Sequence, residues 1–274
     1  MFGRSWDGGW WERANAAAQI VTGGRRWRGD SMGRKRTTGR AEYKRRYGGR
    51  DDAAPGWDAI DSRLREVYGD QEPRHWGTVI KAVFGGPDPI DGISAYECRD
   101  GGRPHLHFCT YGYTSLYYDE EGAGGVASGY GFEMTFRLAS PLPPAEQPAW
   151  VCNLLQNLAR YVFQTGRCFG PYHWIPANGP IRADHPTDIV GLAFLSDPAV
   201  PAVDSPHGRV EFLQAFGITG GELNRIKTKA ATCEEVVESH RRDNPLLVTD
   251  LGRKDPVPSA APHGGRNGGR GRRA

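Results

Sequence analysis

Three groups of residues have the types and spacing that could do chemistry. The stretch "GGPDPIDGISAY" (85–96) sets two glycines and two prolines around Asp88 and Asp91. As a phosphate cradle it fails, because Pro87 and Pro89 remove backbone N–H groups that such a nest needs, and no Lys-Ser/Thr follows. As a metal site it would need His105 and His107, which share a face if 105–111 is a strand, to converge with a carboxylate. Asp-Pro and Asp-Gly are equally ordinary turn chemistry, and a histidine on a sheet is commonly a satisfied polar neighbour. Cys233 and His240 form the third group. Seven residues apart on one helix they stand about 10 Å from each other, too far for a thiol and its base. The sequence therefore points to no catalytic residue, no metal and no cofactor.

A different chemistry fits the aromatics and acids between the strands. Phe108, Tyr111, Tyr113, Tyr117, Tyr118 and Tyr130 lie on or near loops, and "YYDEEG" adds Asp119, Glu120 and Glu121. Aromatics supply contact area and acids steer a basic partner. Phe108 and Tyr111, inside an apolar strand, read as core.

The elements that must position these residues follow from periodicity. "PGWDAIDSRLREVYG" places Trp57, Ile60, Leu64 and Val67 at helical spacing, with Pro55 to open the helix and Gly69 to stop it. Strands are expected at 77–84, 92–98 and from 105 to about 112. Another is expected at 129–139, where Phe132, Met134, Phe136 and Leu138 alternate with Glu133, Thr135 and Arg137 as in a half-buried strand. "AWVCNLLQNLARYVFQTG" (149–166) is the clearest helix, with Val151, Leu154, Leu155, Leu158, Tyr161 and Val162 on one face. Two more strands (188–196 and 208–218) and two short helices follow, the last with Thr232 as N-cap and two glutamates in its first turn. The fold class is α+β (mixed α/β), a central mixed sheet with helices packed on it.

Charge divides the 274-residue chain. Residues 1–50 hold 13 Lys/Arg against 4 Asp/Glu (+9), residues 251–274 hold 6 against 1 (+5), and residues 51–250 hold 16 against 27 (−11). Both basic ends are poor in apolar residues, so 1–54 is expected as a disordered extension and 253–274 as a disordered Gly/Arg-rich tail around a domain at 55–252. Such tails could hold nucleic acid through phosphates and stacking, which is the alternative to a protein partner. No apolar run approaches the roughly 20 residues that span a bilayer. Five scattered cysteines with no C-x-x-C spacing suit reduced thiols, so a cytoplasmic protein is expected.

Several motifs stand in a recognisable order: "GWDAI", "HWGTVIKAVFGGPDPIDGISAY", "PHLHFCTYGYTSLYYDE", "SGYGFEMTFRLA", "NLLQNLARYVFQTG" and "GRVEFLQAFGIT". Over about 55–252 they resemble the amino-terminal domain of Suppressor of fused and its bacterial single-domain relatives. The resemblance makes 85–96 a strand-turn-strand shaped by Pro and Gly. It implies a non-enzymatic binding protein: the animal member clamps a short motif of Gli transcription factors, and bacterial relatives are regarded as immunity proteins that silence a cognate toxin. By position, Phe108 stands where the animal family has a groove tyrosine, and Asp119 where it has an acid near the peptide. Phe108 lacks the hydroxyl, and the second clamp domain of the animal protein is expected to be absent. Abundant Arg, Ala, Gly and Pro suit a high-GC bacterium. The expected partner site is Phe108, Tyr113, Tyr117, Tyr118, Asp119, Glu120 and Glu121, facing a toxin.

Overall fold

The computed structural model describes residues 39–78, 85–99, 103–144 and 146–255. In chain order the elements are α1 (Arg40–Tyr47), α2 (Pro55–Tyr68), β1 (Arg74–Gly77), β2 (Gly92–Cys98), β3 (His105–Tyr111), β4 (Ala127–Ala139), α3 (Ala149–Thr165), β5 (Trp174–Pro176), β6 (Ile189–Ser196), β7 (Val203–Ser205), β8 (Gly208–Thr219), α4 (Gly220–Lys227) and α5 (Cys233–His240). One mixed sheet runs β1-β2-β3-β4-β8-β6-β5, with β7 on β8. Its β4–β8 pair is parallel and the other strand pairs are antiparallel.

Local signals account for most boundaries. Proline at the start of α2 needs no N–H partner there, and Gly69 (φ 63°) and Gly166 (φ 68°) end α2 and α3 at positive φ, Gly166 in the left-handed helical conformation. Thr219 with Glu222, and Thr232 with Glu235, form reciprocal capping boxes at the starts of α4 and α5.

Helices cover both faces of the sheet. The even-numbered side chains of β4, Phe132 to Leu138, pack with Val151, Leu155, Leu158 and Val162 of α3. On the other face α2 brings Ile60 and Leu64 to Cys109, Val210 and Phe212. The helices α4 and α5 bring Leu223, Ile226, Val236 and Val237 to Phe216 and Ile218. Fully burying one such aliphatic side chain stabilises the fold by roughly 1.5–3 kcal/mol.

Three expectations change here. The strand β4 is not half-buried: Glu133, Thr135 and Arg137 are as dry as the apolar face, because α2, the loop after β3 and the loop after β6 cover them. Order begins before residue 55, since α1 lies within the stretch expected to be disordered and buries Tyr43 completely. A strand that was not expected, β1, forms at 74–77, and most of the strand expected at 77–84 falls on residues 79–84, outside the described residues. So do 1–38 and 256–274, where the rest of the tails was expected.

Candidate functional site: an acidic tyrosine loop and the buried polar groups beneath it

The loop after β3 carries six of the seven expected partner residues, and it is seated on two buried supports. The first is Glu133 of β4. Its carboxylate is fully buried and accepts from Thr110 Oγ1 (2.7 Å), Gly112 N (3.0 Å), Tyr113 N (3.4 Å), Thr114 N (3.0 Å) and Thr114 Oγ1 (2.6 Å). Burial pushes the carboxyl up to about 7 despite these donors. Gly112 (φ 140°) must be glycine, because a Cβ would stand 2.8 Å from the Cα of Ile90. The second support is the start of α2: Gly56 N and Trp57 N both donate to Leu116 O, and Tyr118 N donates to Ala53 O. A side chain at Gly56 would run into Ser115 O at 2.0 Å, so backbone meets backbone here.

Beyond these supports the loop reaches the surface. Tyr117 is 43% exposed, Glu121 is exposed, and Tyr118, Asp119 and Glu120 are half-buried. Helix α1 lies against them. Tyr43 stacks on Tyr118 with ring centroids 5.2 Å apart, and Lys44 and Arg40 approach Glu120 at 3.1 and 3.7 Å. Asp119 N donates to the Tyr43 hydroxyl (2.9 Å), which donates to His207 Nε2 (2.7 Å), and His207 Nδ1 donates to Ser115 O (2.8 Å). Ser115 O can only accept, so Nδ1 of His207 carries the proton and Nε2 is left to accept from the Tyr43 hydroxyl. Burial lowers that histidine's pKa, in keeping with a neutral ring.

Phe108 and Tyr113 are not part of this surface. Phe108 is fully buried in the α3-side core and Tyr113 packs on Phe132 at 4.9 Å. Both were expected as partner contacts; as placed, both are core residues that present no area to a partner.

Sequence reasoning missed the largest polar cluster. Asp197, directly after β6, accepts from Arg137 Nη1 (2.7 Å) and Nη2 (2.9 Å), Thr135 Oγ1 (2.6 Å), His107 Nε2 (3.1 Å), Ala199 N (2.9 Å) and Val200 N (3.0 Å). Gln214 accepts from Arg137 and donates to Leu246 O and Leu247 O, and Tyr68 donates to His107 Nδ1. Burial raises the Asp197 carboxyl, but Arg137 and His107 outweigh it and hold the group well below the usual carboxylate range. Burial, with Arg137 adding to it, lowers His107 to about 4, so the ring is neutral near pH 7. The available signal was the alternation Glu133-Thr135-Arg137, three polar residues on a face that has to be covered.

The other candidate groups are engaged elsewhere. Asp88 pairs with Arg160, while Gln156 holds the same turn through Ile90 O (3.1 Å), so 85–91 is a turn clasped by α3. His105 Nδ1 bonds to Arg103 O, and among the described residues no three His, Cys, Asp or Glu gather as metal ligands. His240 bonds to Glu222, and burial pushes the Cys233 thiol up to about 12. A cleft of about 340 Å³ between α2 and β1–β2 holds Asp61, raised by burial, and His75, lowered by burial. Asp61 accepts from Tyr111 and His75 bonds Ser94, so each already has a partner of its own.

Residues 86–254 match the family model for Suppressor of fused protein (SUFU). The chain belongs to the Suppressor of fused family. It is 32% identical over 224 residues to the Suppressor of fused homologs of Homo sapiens and Mus musculus, covering 76% of this chain and 45% of each relative. The chain thus spans less than half the length of those relatives. Among solved structures it is similar to a chain of a Sufu–Fu complex (TM-score 0.66, 33% identity, 74% of this chain and 92% of that one). It is equally similar to Drosophila Suppressor of Fused (TM-score 0.66, 32% identity, 74% of this chain and 51% of that one). These neighbours share the α+β fold of one mixed sheet with helices on both faces. Among the described residues no helix is long and apolar enough to cross a membrane.

Proposed function

We propose that this chain is a non-catalytic protein-binding domain whose partner docks on Tyr117, Tyr118, Asp119, Glu120 and Glu121, and that it serves as an immunity-type protein covering a cognate toxin in the cytoplasm. The observation that carries the reading is the seating of this loop. Glu133 and the start of α2 hold its backbone at one end, while Tyr117 stands 43% exposed among acids at the other. A preorganised aromatic needs little ordering on binding, which favours affinity. The net −11 of residues 51–250 suits a toxin that is basic where it grips nucleic acid. A family member also forms a protein complex, since one neighbour is a chain of a Sufu–Fu complex. The test replaces Asp119, Glu120 and Glu121 by Asn or Gln and follows association with the product of the neighbouring gene at several salt concentrations. Slower association with a flatter salt dependence is expected; wild-type rates and slope would reject the face.

A further inference from the structure

The basic helix α1 sits on the acidic loop in a way that defines what the loop can hold. Its eight residues, RAEYKRRY, bury a single side chain, Tyr43, and present Arg40 and Lys44 to Glu120. An isolated helix this short is marginal in water, so its order comes from docking. Gly48 and Gly49 (φ 75°) follow it, and residues 48–54 join it to α2. The helix therefore has one anchor, a charged fringe and a short tether.

The groups that receive the helix belong to the loop after β3 and to His207. Tyr118 offers a ring face, Asp119 a backbone N–H, His207 an acceptor nitrogen and Glu120 a carboxylate, and every one of them is used by Tyr43 or its neighbours. The Lys44 ammonium beside Glu120 holds its carboxyl below the usual range. The acceptor at His207 is fixed because Ser115 O takes its other N–H. A phenol is recognised at both its lone pair and its proton, and cationic side chains are recognised beside it.

We propose that this notch is a binding site for a basic segment bearing a tyrosine, held in cis by α1, and that a partner takes the face by displacing α1 with a segment of the same chemistry. The proposal rests on the reading of 117–121 as the partner face and adds to it both the ligand class and an intramolecular competitor. Through its short tether α1 acts at an effective concentration on the order of millimolar, so a free segment meets an occupied site.

The probe is a labelled synthetic peptide of residues 39–48, GRAEYKRRYG, titrated against the full-length chain. Wild type is compared with Arg40→Glu/Lys44→Glu and with the same pair plus Tyr43→Ala. The peptide should bind both variants at least about tenfold more tightly than wild type, as expected once a competitor of that effective concentration is released. Glu120→Gln in the variant background, or alanine for tyrosine in the peptide, should remove that gain. Equal affinity for all three chains, or no saturable binding to either variant, would overturn the proposal. If the triple variant unfolds, the double variant decides through amide exchange of residues 40–47. Faster exchange supports release, and unchanged protection overturns the electrostatic hold. Peptide capture without any effect of Asp119, Glu120 and Glu121 on the partner would leave this site standing and remove the proposed function. The reverse pattern would remove the competitor and keep the face.

Discussion

The two faces of β4 are equally dry and chemically opposite. Phe132, Met134, Phe136 and Leu138 meet α3 through apolar contact alone, whereas Glu133, Thr135 and Arg137 are buried on the other side with hydrogen bonds or a counter-ion. Packing on the first face is non-directional and tolerates change of the same volume. Packing on the second holds particular partners at particular atoms, so it fixes which loops lie where. The apolar face stabilises the sheet, and the polar face positions the loop after β3. Within the polar face, Arg137 is neutralised by Asp197, while Glu133 has only neutral donors. That is why one acid is held low and the other is pushed up to about 7.

The strongest way to break the contrast is to remove the counter-ion. Asp197→Ala leaves six donor contacts without an acceptor and Arg137 buried without its charge partner. A loss of about 5 kcal/mol is expected in urea unfolding. Replacing Arg137 and Asp197 together by Met and Leu should recover part of that loss, because neither charge is then stranded. A double variant no more stable than Asp197→Ala would mean that the cluster acts through shape and not charge.

Phe136→Ala, on the apolar face, should cost about 4 kcal/mol from lost transfer energy and the cavity left behind. Its effect should be confined to stability, with partner association unchanged in the folded fraction. Wild-type stability would place the core on the wrong side of β4.

Glu133→Gln separates support from stability. It keeps the side-chain shape but replaces one acceptor oxygen by a donor facing N–H and O–H groups, and a loss of about 1–3 kcal/mol is expected. Amide exchange at 112–116 should quicken more than at β8. Uniform acceleration over the whole sheet would show that Glu133 is not a local clasp.

The smallest effect is in pH. His107, lowered to about 4 from 6.5, leaves the folded chain with fewer protons than the unfolded one between those values, so its contribution to stability is present above about 6.5 and is lost as pH falls. Glu133, raised to about 7 from 4.5, has the opposite sign: its contribution is present below 4.5 and is lost as pH rises through 7. Between pH 4.5 and 6.5 Glu133 offsets part of the fall in stability on acidification that His107, His75 and His207 produce. Glu133→Gln should steepen it by about 1 kcal/mol per pH unit, with stability falling on acidification. Parallel profiles for the two chains would contradict the opposition.

Much of this protein was legible in the sequence because periodicity and caps are local. The α3 stripe from Val151 to Val162, the strands β2, β3, β4, β6 and β8, and the Thr232 cap follow from neighbours a few residues away. The apolar side of β4 was equally readable, as was the turn at 85–91. Tertiary structure alone decided the rest, because it depended on residues far apart in the chain. Burial of Glu133 and Arg137 requires a turn 19–23 residues upstream and an aspartate 60 residues downstream. The order of α1 rests on loops 76 and 164 residues away, which no period within RAEYKRRY encodes. Alternation shows which residues share a face, but only the assembled fold decides whether that face meets water, a counter-ion or another part of the same chain.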